Sequence, residues 1–173
     1  MELLPQAFYE RPADQVALDL LGKILQARSG GGVRRCRIVE VEAYFGPCDP
    51  ASRARRGRRG RIARALHGPP GLTLVYGMHR QWLLNIVAHP PWMAGAVLLR
   101  SCTPLEPGEG NPRGPGRLTR YMGIGREMDS LPVYDPTSLV QVLDDGYRPG
   151  RVLRGGRIGV REDLELPLRF YIG

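Results

Sequence analysis

The sequence predicts an α+β fold: one domain with a curved antiparallel or mixed β-sheet, peripheral helices and a protruding β-hairpin. Most patterned segments have the β-branched and aromatic composition of strands, and only two or three have helical spacing. The 173 residues, 42% of them hydrophobic, suit a single domain spanning 1–173. No apolar run is long enough to span a membrane and the N-terminus lacks signal-peptide features, so we expect a cytoplasmic protein.

Each element is predicted from its hydrophobic period and its flanking turn residues. The first helix begins at Pro12, which suits a first turn, and ends at Gly22, which suits a stop. A glycine turn at 30–32 joins two strands into a hairpin, and the tip of a second hairpin is predicted near 77–80. In chain order we predict a helix over 12–22, strands over 23–27 and 33–44, a short helix over 61–66, strands over 72–76, 82–88 and 94–102, a Pro/Gly-rich loop over 104–116, a helical turn over 118–122, and strands over 139–143, 157–160 and 168–172.

The strand that ends at the Gly46-Pro47 turn carries acids on one of its two faces. Successive strand side chains point to opposite faces. One face is apolar and is expected to meet the core: Val39, Val41, Ala43 and Phe45. The other face combines two carboxylates with an aromatic ring: Ile38, Glu40, Glu42 and Tyr44. Such carboxylates usually form a solvated face, but a basic segment follows directly, which favours chemistry on a nucleic acid.

The charge distribution indicates a polyanionic partner. The formal net charge is +8, and Lys23 is the only lysine among the 25 Lys and Arg residues. No acid lies between Asp49 and Glu106, whereas that stretch contains Arg53, Arg55, Arg56, Arg58, Arg59, Arg61, Arg64, Arg80 and Arg100. A long basic stretch without acids is the electrostatic pattern of a nucleic-acid face, and we expect Arg58 and Arg61 to contact the backbone of the nucleic acid.

The cysteines and histidines argue against a disulfide framework and against a metal centre. Cys36, Cys48 and Cys102 are an odd number with no Cys-x-x-Cys pair, so we expect reduced thiols. The histidines, at 67, 79 and 89, are too scattered to form a ligand set. We expect no metal and no other cofactor.

Several short motifs occur in an order that is typical of one family. They are residues 37–47 (RIVEVEAYFGP), 76–79 (YGMH), Asn85, 97–100 (VLLR) followed by 104–107 (PLEP), 114–118 (GPGRL), 157–160 (RIGV) and 167–171 (PLRFY). Together they resemble the alkyladenine (3-methyladenine) DNA glycosylase family across nearly the whole chain. The resemblance implies a single α+β domain that flips a damaged purine out of duplex DNA and hydrolyses its N-glycosidic bond.

The resemblance assigns roles to individual residues. Glu42 matches the family's general base, which would deprotonate the attacking water, and Tyr44 matches the aromatic wall that stacks on the flipped base. Arg100 matches the arginine that holds the phosphate of the flipped nucleotide and the water near Glu42. Asn85 matches a pocket asparagine, and Ile158 matches a position whose backbone helps to hold the water. From the residues alone, a turn or sheet-end hydrogen bond for Asn85 and core packing for Ile158 are the simpler interpretations.

The chain departs from the family at Arg53, where relatives commonly have a histidine that contacts the flipped nucleotide. An arginine can stack on a base and bind a phosphate, but it only donates hydrogen bonds and keeps its charge. We expect this difference to disfavour cationic bases and to shift the preference of the pocket toward neutral lesions.

The residue that fills the gap left by the flipped nucleotide has two candidate positions. The family inserts a tyrosine from a Tyr-Gly-Met motif, which names Tyr76 as this wedge. Counting residues from Tyr44 instead places Tyr76 in the strand, where it lines the pocket, and leaves His79 or Arg80 at the hairpin tip. We favour Tyr76, because a flat ring stacks between base steps at modest cost, and expect His79 and Arg80 to contact DNA.

Double-stranded DNA with damaged purines is the expected partner of a monomeric, nucleoid-associated enzyme. Glycosylases that also cut the strand need an amine nucleophile, and Lys23 is predicted far from Glu42. We therefore expect a monofunctional hydrolase that leaves an abasic site, with Glu40 in a supporting role beside Glu42. Two alternatives stay open: a non-catalytic nucleic-acid-binding module on the same fold, and an RNA-binding protein unrelated to repair.

Overall fold

The residues that the structure describes, 1–108 and 110–173 of this computed structural model, form nine strands and three α-helices. The strands are β1 (Glu2–Leu3), β2 (Ile24–Ser29), β3 (Gly32–Tyr44), β4 (Thr73–Met78), β5 (Gln81–Val87), β6 (Ala96–Pro104), β7 (Val140–Asp144), β8 (Val152–Gly155) and β9 (Arg169–Ile172). The α-helices are α1 (Ala13–Leu20), α2 (Arg61–Leu66) and α3 (Pro115–Met122), and 3-10 turns lie at Gln6–Tyr9 and Arg126–Met128. None of the described helices is both long and apolar enough to cross a membrane.

The sheet is organised around β3. One edge of β3 pairs with β6, and the opposite edge pairs first with β2 and then with β9. The strand order is β1-β7-β2-β3-β6-β5-β4, with β8 attached to β9. Every strand pair among the described residues is antiparallel. The predicted α+β class is confirmed, and the sheet is antiparallel rather than mixed.

Helix α1 covers the apolar face of the central strands β3 and β6. It follows Pro12, whose missing amide hydrogen is tolerated at a helix start. Its buried residues recur at helical spacing and belong to the main core: Ala13, Val16, Ala17 and Leu20. The chain then turns at Gly22, where φ is +86° and a Cβ would lie 2.8 Å from the ring of Tyr147. The helix predicted over 12–22 is therefore present with slightly narrower bounds.

The alternation of faces along β3 is interrupted near Val39. The register between β3 and β6 is irregular on both sides of Glu40. As a result Ile38 is fully buried in the main core, whereas Val39 is only half-buried. The prediction for these two residues is wrong, because strict alternation cannot anticipate a bulge. Beyond the irregularity the faces are as predicted, with Val41 and Ala43 in the core and Glu42 and Tyr44 on the other face.

Most predicted strands are present with slightly shifted bounds, but the strand predicted over 157–160 is wrong. Gly159 has a φ of +73° and the side chain of Arg157 is buried, so the chain turns here instead of extending. The sequence did not suggest β8, which lies just before this turn. The helical turn predicted over 118–122 extends back to Pro115 as α3. The loop predicted over 104–116 contains Glu109, which lies outside the described residues.

Two of the three cysteines form a disulfide, which corrects the expectation of reduced thiols. Cys36 of β3 is bonded to Cys102 of β6, and their Cα atoms are 5.6 Å apart. The two residues are separated by 66 positions in the sequence, and only the strand register brings them together, since Cys102 lies opposite Ile38. Rules based on the spacing of neighbouring cysteines cannot detect such a pair. Cys48 is exposed and free.

Candidate active site

A cavity of about 740 Å³ opens on the face of the sheet opposite the main core. Its floor is formed by side chains that alternate with core residues along β4, β5 and β6: Leu74, Leu83, Asn85, Ala96 and Leu98. The volume lies in the range of small-molecule sites. The cavity brings together seven of the predicted site residues, which are Tyr44, Arg53, Tyr76, His79, Asn85, Arg100 and Ile158.

Glu42 lies directly beneath this cavity, opposite Leu98 of its floor. The side chain is fully buried, and both carboxylate oxygens are occupied. Oε2 accepts a hydrogen bond from the Tyr44 hydroxyl at 2.7 Å. Oε1 accepts one from the backbone amide of Ile158 at 2.7 Å and lies 3.2 Å from Nη1 of Arg100. These three partners all line the cavity, so the carboxylate lies directly behind residues of the cavity wall.

Arg100 lies between two carboxylates. Besides its contact with Glu42, its Nε is 3.5 Å from Glu40. Glu40 is also held by Arg169 at 3.2 Å and by the hydroxyl of Ser101 at 2.8 Å. The Nε of Arg100 is buried and has no hydrogen-bond acceptor among the described residues. One donor beside the cavity is therefore unsatisfied, while Glu40 supports Arg100 from a position that does not line the cavity.

A buried ion network fixes the segment that presents the Ile158 amide to Glu42. The guanidinium of Arg157 pairs with Asp49 at 2.6 Å and with Asp163 at 2.5 Å. Burial opposes the charge of Arg157, but these hydrogen bonds outweigh it and raise its pKa. Burial likewise opposes ionisation of Asp49, but the bond from Arg157 and backbone amides hold its pKa below the ordinary value. Sequence reasoning missed this network, and the only signal was that Arg157 precedes Ile158 in a recognised motif.

Each of the two cavity tyrosines has a guanidinium over its ring. Arg157 lies 4.7 Å from the ring centroid of Tyr44, and Arg53 lies 5.3 Å from that of Tyr76. Both distances are within the range of cation–π contacts. Burial is the largest cause that raises the pKa of each phenol above its ordinary value. Tyr44 therefore keeps the proton that it donates to Glu42.

The hairpin formed by β4 and β5 turns at His79 and Arg80, which are exposed and have positive φ angles of 50° and 61°. A two-residue turn of this kind fixes the pairing of both strands. Tyr76 consequently lies within β4 opposite Leu83, and its ring lines the cavity. This agrees with the residue count, which places Tyr76 in the strand and lining the pocket, and which side chain fills the gap in the duplex stays a prediction. His79 lines the cavity as well.

The arginine-rich segment forms the outer wall of the cavity. Three of its members line the cavity: Arg53, Arg55 and Arg56. A smaller hollow of about 300 Å³ lies beside it and is lined in part by Arg53, Arg59 and Arg61. Arg61 is paired with Asp129 at 2.8 Å, and Arg58 is exposed outside both hollows. The structure thus brings Arg53 into the site and leaves Arg58, Arg61 and Arg80 on the surface around it.

For Asn85 the simpler interpretation was a turn or sheet-end hydrogen bond, and for Ile158 it was core packing. Asn85 is buried and donates a hydrogen bond to the carbonyl of Leu74 at 3.2 Å, so it has a role within the sheet as well as in the cavity. Ile158 is 51% exposed, which is contrary to core packing. Within 1–108 and 110–173, no three of the His, Cys, Asp and Glu side chains come together as metal ligands.

A buried carboxylate beneath an aromatic cavity, beside an arginine-rich wall, is the combination expected of an enzyme that acts on the bases of a nucleic acid. The family model described as Methylpurine-DNA glycosylase (MPG) matches residues 7–173. The chain belongs to the methylpurine-DNA glycosylase family. It is therefore a DNA glycosylase, an enzyme of base excision repair.

Curated relatives agree with this assignment over nearly the full chain. A protein of Aeropyrum pernix is 60% identical over 174 residues, covering 98% of this chain and 89% of the relative. A protein of Burkholderia lata is 41% identical, covering 98% and 87%, and one of Bdellovibrio bacteriovorus is 35% identical, covering 98% and 95%. All three carry the name "Putative 3-methyladenine DNA glycosylase".

Proposed function

We propose that this protein flips a damaged purine, alkylated or deaminated, out of duplex DNA into the cavity and hydrolyses its N-glycosidic bond. The observation that carries the proposal is the Glu42 carboxylate, which is buried beneath the cavity and held by Tyr44, Arg100 and the Ile158 amide. The relatives are named for 3-methyladenine, so alkylated purines are the first lesions to test.

Glu42 acts as the general base in this proposal. It accepts a proton from a water that attacks the anomeric carbon, and its negative charge stabilises the oxocarbenium-like transition state. Arg100 lines the cavity and is held by Glu42, so its guanidinium is placed to bind an oxygen of the nucleotide's phosphate or of the water. The Ile158 amide holds Oε1 of Glu42 in a fixed orientation.

The walls of the cavity suit a flat aromatic base. The rings of Tyr44 and Tyr76 offer stacking surfaces, and Asn85 offers a polar group on the floor between them. The turn at His79 and Arg80 is exposed at the end of the hairpin, which supports His79 as the side chain that fills the gap in the duplex. The arginine wall supplies contacts to backbone phosphates, so binding weakens as salt increases.

The positions of the amines support a monofunctional enzyme that leaves an abasic site. The side chain of Lys23 is buried and paired with Asp144 at 2.7 Å. The strand nearest the N-terminal amine, β1, lies three strands away from β3 in the sheet. Neither amine lines the cavity, so neither is placed to form a Schiff base with the sugar.

Replacement of Glu42 by Gln tests the function, because it keeps the size of the side chain and removes its capacity to accept a proton. We expect base release from a duplex that contains 3-methyladenine, 7-methylguanine or hypoxanthine to fall by at least about 100-fold, with binding of the duplex retained. The unchanged protein, incubated with the same duplex and borohydride, should give no trapped covalent adduct. An adduct would refute the monofunctional assignment.

The full burial of Glu42 favours one alternative, a non-catalytic nucleic-acid-binding module on the same fold. This alternative predicts no base release by the unchanged protein with any lesion, while binding of DNA persists. An RNA-binding protein would show no preference for a lesion duplex over undamaged DNA. Base release that depends on Glu42 excludes both.

A further inference from the structure

We infer that Arg53 biases the cavity toward neutral damaged purines and against cationic ones, an inference that rests on the proposed base-release function. Arg53 lines the cavity with its guanidinium over the ring of Tyr76. Among the described residues, no carboxylate lies within ion-pairing distance of it. Its charge is therefore not neutralised by the protein and faces the base that occupies the cavity.

Most of the unpaired charges around Arg53 are positive. Three arginines line the cavity without an ion-pair partner among the described residues: Arg55, Arg56 and Arg161. Arg100 also lines the cavity, but Glu40 and Glu42 offset its charge, and Glu162 is the one unpaired acid among the described lining residues. Charges at the wall of a cavity are less screened than charges on an open surface. A base next to Tyr76 is consequently in a positive field.

The tyrosines do not offset this field for a cationic base. A cation normally gains from contact with the face of an aromatic ring. At Tyr76 the guanidinium of Arg53 already makes this contact, so a second cation on the same ring is opposed by the first. At Tyr44 the guanidinium of Arg157 is in the equivalent position, but Asp49 and Asp163 neutralise it. The discrimination therefore resides with Arg53, while a neutral purine stacks on both rings without this opposition.

Bond cleavage makes the two classes of lesion diverge further. When a neutral purine leaves, the electron pair of the glycosidic bond moves to the base, which is negative until it is protonated. The sugar gains the hydroxyl group of the attacking water, and the proton of that water goes to Glu42. A donor such as Arg53 stabilises that negative charge. A cationic alkylated purine takes up the same electron pair and leaves neutral, so it is still partly positive in the transition state. Arg53 therefore raises kcat/KM for the first class and lowers it for the second.

Replacement of Arg53 by Gln tests this inference, with hypoxanthine as the neutral lesion and 7-methylguanine as the cationic lesion in otherwise identical duplexes. We expect the ratio of kcat/KM for 7-methylguanine to kcat/KM for hypoxanthine to rise by about tenfold. The control is Arg59→Gln, which removes one charge from the neighbouring hollow without touching the cavity. It should lower kcat/KM for both duplexes in parallel and leave the ratio unchanged. Arg53→Lys, which keeps the charge, should keep the ratio near that of the unchanged protein.

Three results would overturn the inference: an unchanged ratio in Arg53→Gln, an equal change in Arg59→Gln, or a change in Arg53→Lys as large as in Arg53→Gln. The unchanged protein separates this failure from failure of the proposed function. If it releases none of 3-methyladenine, 7-methylguanine and hypoxanthine, the proposed function fails and the inference fails with it. If it releases both bases and the ratio does not depend on residue 53, only the inference fails.

Discussion

Glu42 is an expensive residue to bury, and its three donors explain why the fold tolerates it. An ionised carboxylate without partners in an apolar interior is destabilising by several kcal/mol. Here the hydroxyl of Tyr44, the amide of Ile158 and the guanidinium of Arg100 share its two oxygens. Because these donors are fixed before substrate binds, the carboxylate needs little reorganisation to act on a water molecule.

Tyr44→Phe isolates one of these donors at the scale of a single residue. The change removes the hydroxyl that donates to Glu42 and keeps the ring that faces the cavity. A hydrogen bond to a charged group contributes about 1.5–3 kcal/mol, so kcat should fall by roughly 10- to 100-fold while KM changes little. Single-turnover base release with saturating enzyme measures this effect.

Tyr76→Phe is the matched control, because the hydroxyl of Tyr76 makes no contact with Glu42 although its ring lines the same cavity. Its kcat should stay within about threefold of the unchanged protein. Equal losses of kcat in the two variants would contradict the assignment of the Tyr44 hydroxyl to Glu42.

At the scale of elements, the half of β3 that carries Glu42 and Tyr44 was predictable and the segment after β8 was not. Alternation alone placed Glu42 and Tyr44 on one face of a strand, and the structure agrees. The segment that packs against that face, 157–160, is held in place by the hydrogen bond from Arg157 to Asp49. These two residues are 108 positions apart in the sequence. A pattern of neighbouring residues contains no information about such a contact, so the turn over 157–160 was mistaken for a strand. Tyr76 is the opposite case, because the count of residues from Tyr44 was enough to place it within a strand.

The prediction for an element concerns the tip of the β4–β5 hairpin and its contact with duplex DNA. His79→Ala removes the aromatic ring from the turn. If His79 fills the gap in the duplex, the change should lower base release only for lesions that must first be unstacked from their neighbours. We expect base release from duplex DNA to fall about tenfold relative to release from the same lesion in a single strand. A fluorescent base analogue beside the lesion reports the loss of flipping.

Arg80→Gln is the comparison for the tip, because it removes a charge from the other residue of the turn. It should weaken binding to duplex and to single-stranded DNA to a similar degree. The preference of the enzyme for one of these substrates over the other should therefore not change. An equal loss of activity on both substrates in His79→Ala would assign His79 to the cavity wall, where it also lies, and not to the duplex.

At the scale of the whole molecule, the two strands that carry the site are also joined covalently. β3 holds Glu42 and β6 holds Arg100, and the Cys36–Cys102 bond links the same two strands. The sequence could not reveal this, because the count of three cysteines is compatible with reduced thiols and the pairing depends on the register of strands 66 residues apart. The active-site ion pair and the disulfide therefore both depend on the β3–β6 register.

Removal of the disulfide should lower stability far more than activity. A cross-link that closes a loop of this length stabilises by at most about 4 kcal/mol, mainly by restricting the unfolded chain, so the double variant Cys36→Ser/Cys102→Ser should melt roughly 10 °C lower. Base release well below the melting temperature should stay nearly unchanged, because backbone pairing still holds the β3–β6 register. Cys48→Ser, at the exposed free cysteine, should leave the melting temperature unaltered. Calorimetry with and without a reductant provides the check: a reductant should lower the melting temperature of the unchanged protein to that of the double variant, and identical melting with and without it would show that the bond contributes nothing.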